Sequence, residues 1–224
     1  FELGKALASA ADGAVVNPVG QPDESPVTVQ KGTADPDDLI GGDGNDALFG
    51  RDGDDTLTGG ADDDILIGSG GDDTLDFSGG GEDIVPYSAG TDGHDTLEFF
   101  TLDSDGTRGD VLTGADADQV QFFSTSLPGV DSVELTNDGT DDQGNGQVDV
   151  KVKFDGGGSL TFADLLSETD DDVDDLFTNS SGIDRTQADN NNTVGDSQQI
   201  TIADVSPNDL ESLFGDSFAV APTS

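Results

Sequence analysis

Apolar residues along the chain fall into two regimes. From residue 32 to 85 they recur at every ninth position, as Leu39, Leu48, Leu57, Leu66, Leu75 and Ile84. Neither the 3.6-residue period of a helix nor the alternation of a long strand produces that spacing. Around each sits the same frame: GTADPDDLI, GGDGNDALF, GRDGDDTLT, GGADDDILI, GSGGDDTLD and FSGGGEDIV. Its sixth position is Asp37, Asp46, Asp55, Asp64, Asp73 and Glu82. A fixed short period marks an architecture of stacked repeats, each burying its apolar residue only against its neighbours. Glycines at the first, second and fourth positions permit the φ > 0 conformations of a tight turn. The last three residues, such as Ala47-Leu48-Phe49, make a short strand whose middle side chain points inward. Each repeat is then half of a flattened coil, two close an 18-residue turn, and the turns stack into a short parallel β-roll.

The second regime is alternation. Val133 and Leu135, then Val148, Val150, Val152 and Phe154, a DGGG turn at 155–158, and Leu160 and Phe162 predict a β-hairpin with one buried face and a preceding strand. Between the regimes, GTDGHDTLE at 90–98 is an out-of-phase repeat with Asp95 and Leu97 in the two key positions. The Ala-rich start, Phe1 to Ala11, predicts a short helix, and Pro18, Pro22 and Pro26 before Val27-Thr-Val29 an extended arm. Ser206-Pro207-Asn208-Asp209 ahead of Leu210, Leu213 and Phe214 is a capped helix start. The predicted fold is mainly all-β: a parallel β-roll of nonapeptide repeats, a small antiparallel β module, and minor helices near the termini. The expected divisions are an N-terminal arm or linker (1–31), the roll (32–98), the β module (99–177) and a loop-rich tail with a short helix (178–224).

Charge changes the picture next. The chain carries 49 acidic and 7 basic residues in 224, and only seven of the acids are Glu. Asp favours turns and holds a short carboxylate near the backbone, which suits an oxygen-ligand cation site. A formal charge of −42 repels nucleic acid and anionic membranes, so cations are the natural partners. With no Cys, disulfides, thiolate metal sites and thiol nucleophiles are excluded. No apolar run approaches the length of a membrane span, and no secretory signal peptide is visible. The chain opens at Phe1 and not at a methionine, which leaves room for a leader removed upstream.

With turns on one side of the roll 18 residues apart, the sixth-position pairs are Asp37/Asp55, Asp46/Asp64, Asp55/Asp73 and Asp64/Glu82. Each pair offers carboxylates to an ion between stacked turns. Loop carbonyls of the first- and third-position residues Gly41, Asp43, Gly50, Asp52, Gly59 and Ala61 would complete a cage of about six to eight oxygens, the number calcium prefers. Magnesium demands a smaller octahedron and keeps its waters. Residues 32–85 set sixteen acids and one base, Arg51, against six core Leu or Ile, so calcium is expected to drive their folding.

The segments 41-GGDGNDALF-49, 50-GRDGDDTLT-58 and 59-GGADDDILI-67 closely resemble the haemolysin-type calcium-binding (RTX) repeats. The resemblance covers about a quarter of the chain and its flanks loosely. It implies a parallel β-roll with calcium between turns, in a bacterial protein exported by type I secretion with an uncleaved signal near the C-terminus. The acidic-then-apolar tail from Leu210 to Ala221 is compatible with such a signal. Departures from the pattern are Asp35 and Asp62 at the fourth position and Glu82 at the last sixth.

Other motifs are weaker. Asp103-Ser-Asp105-Gly106 with Asp110, and Asp141-Asp-Gln143-Gly-Asn145-Gly146 with Asp149, resemble parts of an EF-hand loop but lack its closing Glu and read as solvated turns. Arg108-Gly109-Asp110 is a tripeptide common by chance. His94 is the only histidine, so no HExxH zinc site exists, and no G-x-S-x-G elbow supplies a triad nucleophile. The reading is a calcium-dependent, non-enzymatic extracellular structural protein: a self-assembling, homo-oligomeric subunit of a surface layer, filament or matrix. The alternative is the calcium-binding portion of a larger secreted toxin, adhesin or hydrolase.

Overall fold

The computed structural model describes residues 14–16, 27–101, 118–123, 127–140, 146–167, 199–203, 214 and 217–220. Alternate repeats feed two sheets. The first contains, in order, β1 (Ala14–Val16), β2 (Val27–Lys31), β4 (Ala47–Asp52), β6 (Ile65–Gly70), β8 (Ile84–Tyr87), β10 (Gln119–Phe122) and β15 (Phe218–Val220). The second runs β14 (Gln199–Ala203), β11 (Val130–Thr140), β12 (Gly146–Phe154), β13 (Ser159–Ser167), β9 (His94–Glu98), β7 (Thr74–Asp76), β5 (Thr56–Ala61) and β3 (Asp38–Asp43). Strands two repeats apart pair in parallel, with Leu39 opposite Leu57, Leu48 opposite Leu66 and Leu57 opposite Leu75. This is the 18-residue turn of a parallel β-roll. The Val27-Thr-Val29 end of the N-terminal arm is strand β2, paired in parallel with β4.

Left-handed backbone recurs at the second position, in Gly42, Arg51, Gly60 and Ser69, and at the fourth, in Gly44, Gly53, Asp62 and Gly71. The first-position glycines are not left-handed; their reason is closeness. A Cβ on Gly41 would collide with the Asp46 carboxylate and with the Gly59 carbonyl of the next coil. Asp35 avoids the left-handed region altogether, because it precedes Pro36.

The alternating segments form the expected hairpin, β12 with β13, around a turn in which Gly157 and Gly158 are left-handed. These strands join the roll's own sheet: β13 lies parallel to β9, with Thr161 opposite Thr96. One apolar cluster therefore runs from Leu48, Leu57, Leu66 and Leu75 to an aromatic end built from Tyr87, Phe100, Phe122, Phe154, Phe162, Phe214 and Phe218. There the rings of Phe100 and Phe162 meet edge-on at 5.0 Å, and those of Phe214 and Phe218 stack at 4.2 Å. Within the expected loop-rich tail the structure describes Phe214, residues 217–220 and a strand, β14, paired antiparallel with β11. The rest of the tail, the N-terminal helix, the remainder of the C-terminal one, the first EF-like stretch, most of the second and Arg108-Gly109-Asp110 lie outside the described residues.

Candidate metal centre

Each sixth-position Asp sits just before its strand, where the chain leaves the loop and turns inward. Its backbone N–H donates to Oδ1 of the Asp one coil further along. Asp37 donates to Asp55 at 2.8 Å, Asp46 to Asp64 at 2.7 Å, and Asp55 to Asp73 at 2.8 Å. The ladder thus has two series, one leading into each sheet: Asp37, Asp55 and Asp73, and Asp46 and Asp64, the second begun by a bond from Thr28 N–H to Asp46 at 2.9 Å. One oxygen of each carboxylate therefore stitches two coils together, and the other is left for something else.

The ladder then departs from the strict period. Asp64 donates to Asp83, at 2.7 Å, and not to Glu82. Glu82 is exposed and its N–H goes to Asp63 on the outer side. Ile84 is correspondingly not the inward residue; it lies opposite Ile65, and the buried position belongs to Val85. The cause is one extra residue in the glycine run 79–81, where Gly80 and Gly81 are both left-handed. The shift was legible in Asp83-Ile-Val85, which keeps the Asp-x-apolar spacing of the other repeats. Beyond it, Asp73 donates to Asp95 at 3.1 Å, beside buried Leu97, as the out-of-phase repeat implied. Asp83 donates to Asp118 at 3.1 Å, a rung that sequence reasoning missed although Asp118-Gln-Val120 carries the same spacing. Asp118 ends the series by also accepting the Thr101 N–H through Oδ2, at 2.6 Å.

The second oxygens separate the rungs. In Asp37, Oδ2 accepts the Thr33 N–H and hydroxyl, the latter at 2.9 Å. In Asp46, Asp55, Asp64 and Asp73, Oδ2 is buried and has no hydrogen-bond partner. A buried carboxylate oxygen without a donor costs free energy that a bound cation would recover. The surroundings are oxygen-rich. Gly41 lies against both Asp46 Oδ2 and the Gly59 carbonyl, and Gly50 lies in the same way against Asp55 Oδ2 and the Gly68 carbonyl. At the third position the Ala61 carbonyl accepts from Gly44 N–H at 3.1 Å and keeps a second lone pair, while the side chains of Asp43 and Asp52 are exposed. Among the described residues no three His, Cys, Asp or Glu side chains gather into a metal-holding group. Any cage must therefore combine carboxylate oxygens with backbone carbonyls, which is hard-cation chemistry.

Electrostatics agrees. Burial pushes Asp64 and Asp95 up to about 8, and Asp73 and Asp83 up to about 6, with the backbone N–H bonds opposing that rise. Asp46 and Asp55 are raised for the same reason. Neighbouring carboxylates, such as Asp46 and Asp83 around Asp64, add to it. His94 stands apart from this ladder. Its Nδ1 lies 3.0 Å from the hydroxyl of fully buried Ser159, where the roll meets the hairpin, and its N–H donates to Asp72.

Comparison with known proteins falls on this region. A family model of four RTX calcium-binding nonapeptide repeats matches residues 31–66, 40–75 and 49–85 in overlapping registers. No curated protein matches the chain. Such repeats are in general structural calcium-binding units of secreted bacterial proteins and not catalytic ones. Among the described residues no helix is long and apolar enough to cross a membrane. Residues 31–85 are thus a block of RTX calcium-binding nonapeptide repeats, through which this protein binds calcium.

Proposed function

We propose that the protein is a non-enzymatic, calcium-ordered structural subunit that works outside the cell, in a surface layer, filament or matrix. The observation that carries the calcium part is the four buried, partnerless oxygens, set as two stacked pairs: Asp46 with Asp64 ahead of strands of the first sheet, and Asp55 with Asp73 ahead of strands of the second. These carboxylates would bind calcium between stacked coils, with first- and third-position carbonyls from Gly41, Asp43, Gly50, Asp52, Gly59 and Ala61 completing the shell. Asp37 and Glu82 would contribute less, the first because Thr33 occupies its Oδ2 and the second because it lies off the ladder. Bound calcium supplies positive charge at the points where the fold crowds carboxylates together. The structural part is supported by the way the second sheet runs on from the repeats into the hairpin and the first from the repeats to β10 and β15, around one shared apolar core.

Metal content per chain and electron microscopy test both parts. The expected result is several calcium ions per chain, fewer in Asp64→Asn, and regular polymers that dissolve in chelator. Particles that stay dispersed with and without calcium would remove the polymer reading and favour a calcium-binding portion of a larger secreted protein.

A further inference from the structure

The two sheets of the roll present opposite chemistry outward. On the second sheet one outward row runs Asp38, Thr56, Thr74, Thr96, and the next Ile40, Thr58, Asp76, Glu98. That face is hydroxylated and acidic. On the first sheet, in-register pairing sets Val29, Ala47, Ile65 and Ile84 in one row. Lys31, Phe49 and Ile67 form the row beside it, and Pro86 and Gln121 continue the face on β8 and β10. None of these outward positions is acidic, in a chain where 49 of 224 residues are. An antiparallel or rolled sheet with one solvated face would carry polar residues there. Val29 and Ala47 are already fully buried, and Phe49 and Ile65 pack partly against them as a second apolar cluster on the outside of the sheet. Ile67 and Ile84 are only half-buried.

We propose that this face is the docking surface for a second copy of the chain, apolar face to apolar face across a two-fold axis. The inference rests on the reading of the protein as a self-assembling subunit and names the contact. Charge selects the occupant. Two chains of −42 each repel strongly, and their least costly approach is through a surface that bears no acid. A basic partner would instead be drawn to the acid rows of the opposite face. Five strands, β2 to β10, span about 19 Å at the usual interstrand spacing. A patch of that width belongs with the smaller, weaker interfaces, so the dimer is expected to be concentration-dependent. Added salt screens the repulsion and should strengthen it, the reverse of an ion-paired contact.

Sedimentation of the whole chain in calcium, over a concentration series at low and high sodium chloride, tests this. The expected result is a dimer that strengthens with salt in the parent and in Thr74→Asp on the opposite face. Ile67→Asp should be monomeric under the same conditions. Ile67→Thr, which keeps the β-branch, should fall between them, and circular dichroism in calcium should be the same for all four. A parent that is monomeric throughout, or Ile67→Asp dimerising like the parent, overturns the proposal. The chain has no cysteine, so the thiol of Ile67→Cys reports what else covers the face. Shielding in a monomer assigns it to the chain's own residues, and full reactivity there leaves it bare; either result excludes the second copy. A spectrum that calcium leaves unchanged would count against the calcium-ordered subunit, whereas the sedimentation result judges the face on its own.

Discussion

The repeat coils and the aromatic end share the same two sheets, yet they are held together differently. Between Asp37 and Val85 each half-coil contributes one apolar side chain to the interior and one aspartate at the entry to its strand, so the interior is two facing files of apolar side chains, one per sheet, each with its own file of carboxylates. Beyond Val85 the same interior is filled by Tyr87, Phe100, Phe122, Phe154 and Phe162, in edge-to-face and tilted contacts between 5.0 and 5.6 Å. Aromatic rings bury several times the area of a small side chain and gain further from that geometry. The aspartates gain nothing from burial unless a cation neutralises them. One continuous fold thus contains a part whose stability resides in its side chains and a part whose stability is supplied from solution.

Chelation should give the largest effect and bear most directly on this contrast. Removing calcium is expected to open the coils from β3 to β7 while the hairpin β12–β13 keeps its pairing. Hydrogen exchange should then show the amides of Leu48, Leu57 and Leu66 unprotected and those of Val150 and Val152 still slow. Uniform loss across both parts would mean that the aromatic end cannot stand without the roll, and the division into two kinds of stability would be wrong.

Acid is the next lever, and its sign depends on whether calcium is bound. With chelator present, the folded chain holds protons on Asp64 and Asp95 up to about pH 8, and on Asp73 and Asp83 up to about pH 6. The unfolded chain releases them near pH 4. Folded pKa values above unfolded ones mean that the folded state gains stability as pH falls from about 8 towards 4 and loses it as pH rises through that window. In calcium the same protons compete with the ion, so affinity should fall across the same range. A chelated chain whose strand signal did not increase between pH 8 and pH 5 would contradict the burial of these carboxylates.

Core truncations sharpen the comparison residue by residue. Phe162→Ala should cost about 3–5 kcal/mol and Leu66→Ala about 2–5 kcal/mol in calcium, since both side chains are fully buried. In chelator the Phe162 cost should persist, whereas the Leu66 cost should vanish because its coil is already open. Denaturant unfolding in both conditions measures the four values. Equal costs of Leu66→Ala with and without calcium would show that the coil does not depend on the ion.

Much of this was legible in the sequence because the repeat writes its geometry directly. Leu at every ninth residue fixed the inward line, Asp two residues earlier fixed the ladder, and alternation from Val148 to Phe162 fixed the hairpin. What the period did not carry was the exceptional loop. A residue inserted among glycines changes no propensity, yet it moves every later side chain by one place and so to the opposite face. Periodicity also said nothing of how the hairpin attaches, because the β9–β13 pairing joins Thr96 to Thr161 across a sequence gap that no local signal spans. Nor did it separate Asp37 from the four rungs that follow, since the distinction lies in the Thr33 hydroxyl reaching its second oxygen.

The smallest effect tests that inserted residue. Asp83 accepts the Asp64 N–H and is 1% exposed, whereas Glu82 next to it faces solvent and only its backbone is engaged. Replacing Asp83 with Ala removes the acceptor of a buried N–H, at a cost of about 1–3 kcal/mol. Glu82→Gln removes a surface charge in a crowded acidic loop, so it should leave stability within about 0.5 kcal/mol of the parent. A strict nine-residue register predicts the reverse order, because it would place Glu82 on the ladder and Asp83 in a strand. Unfolding midpoints of the two variants in calcium decide between the registers. A larger loss for Glu82→Gln would return the ladder to its unbroken period and move the inward residue from Val85 back to Ile84.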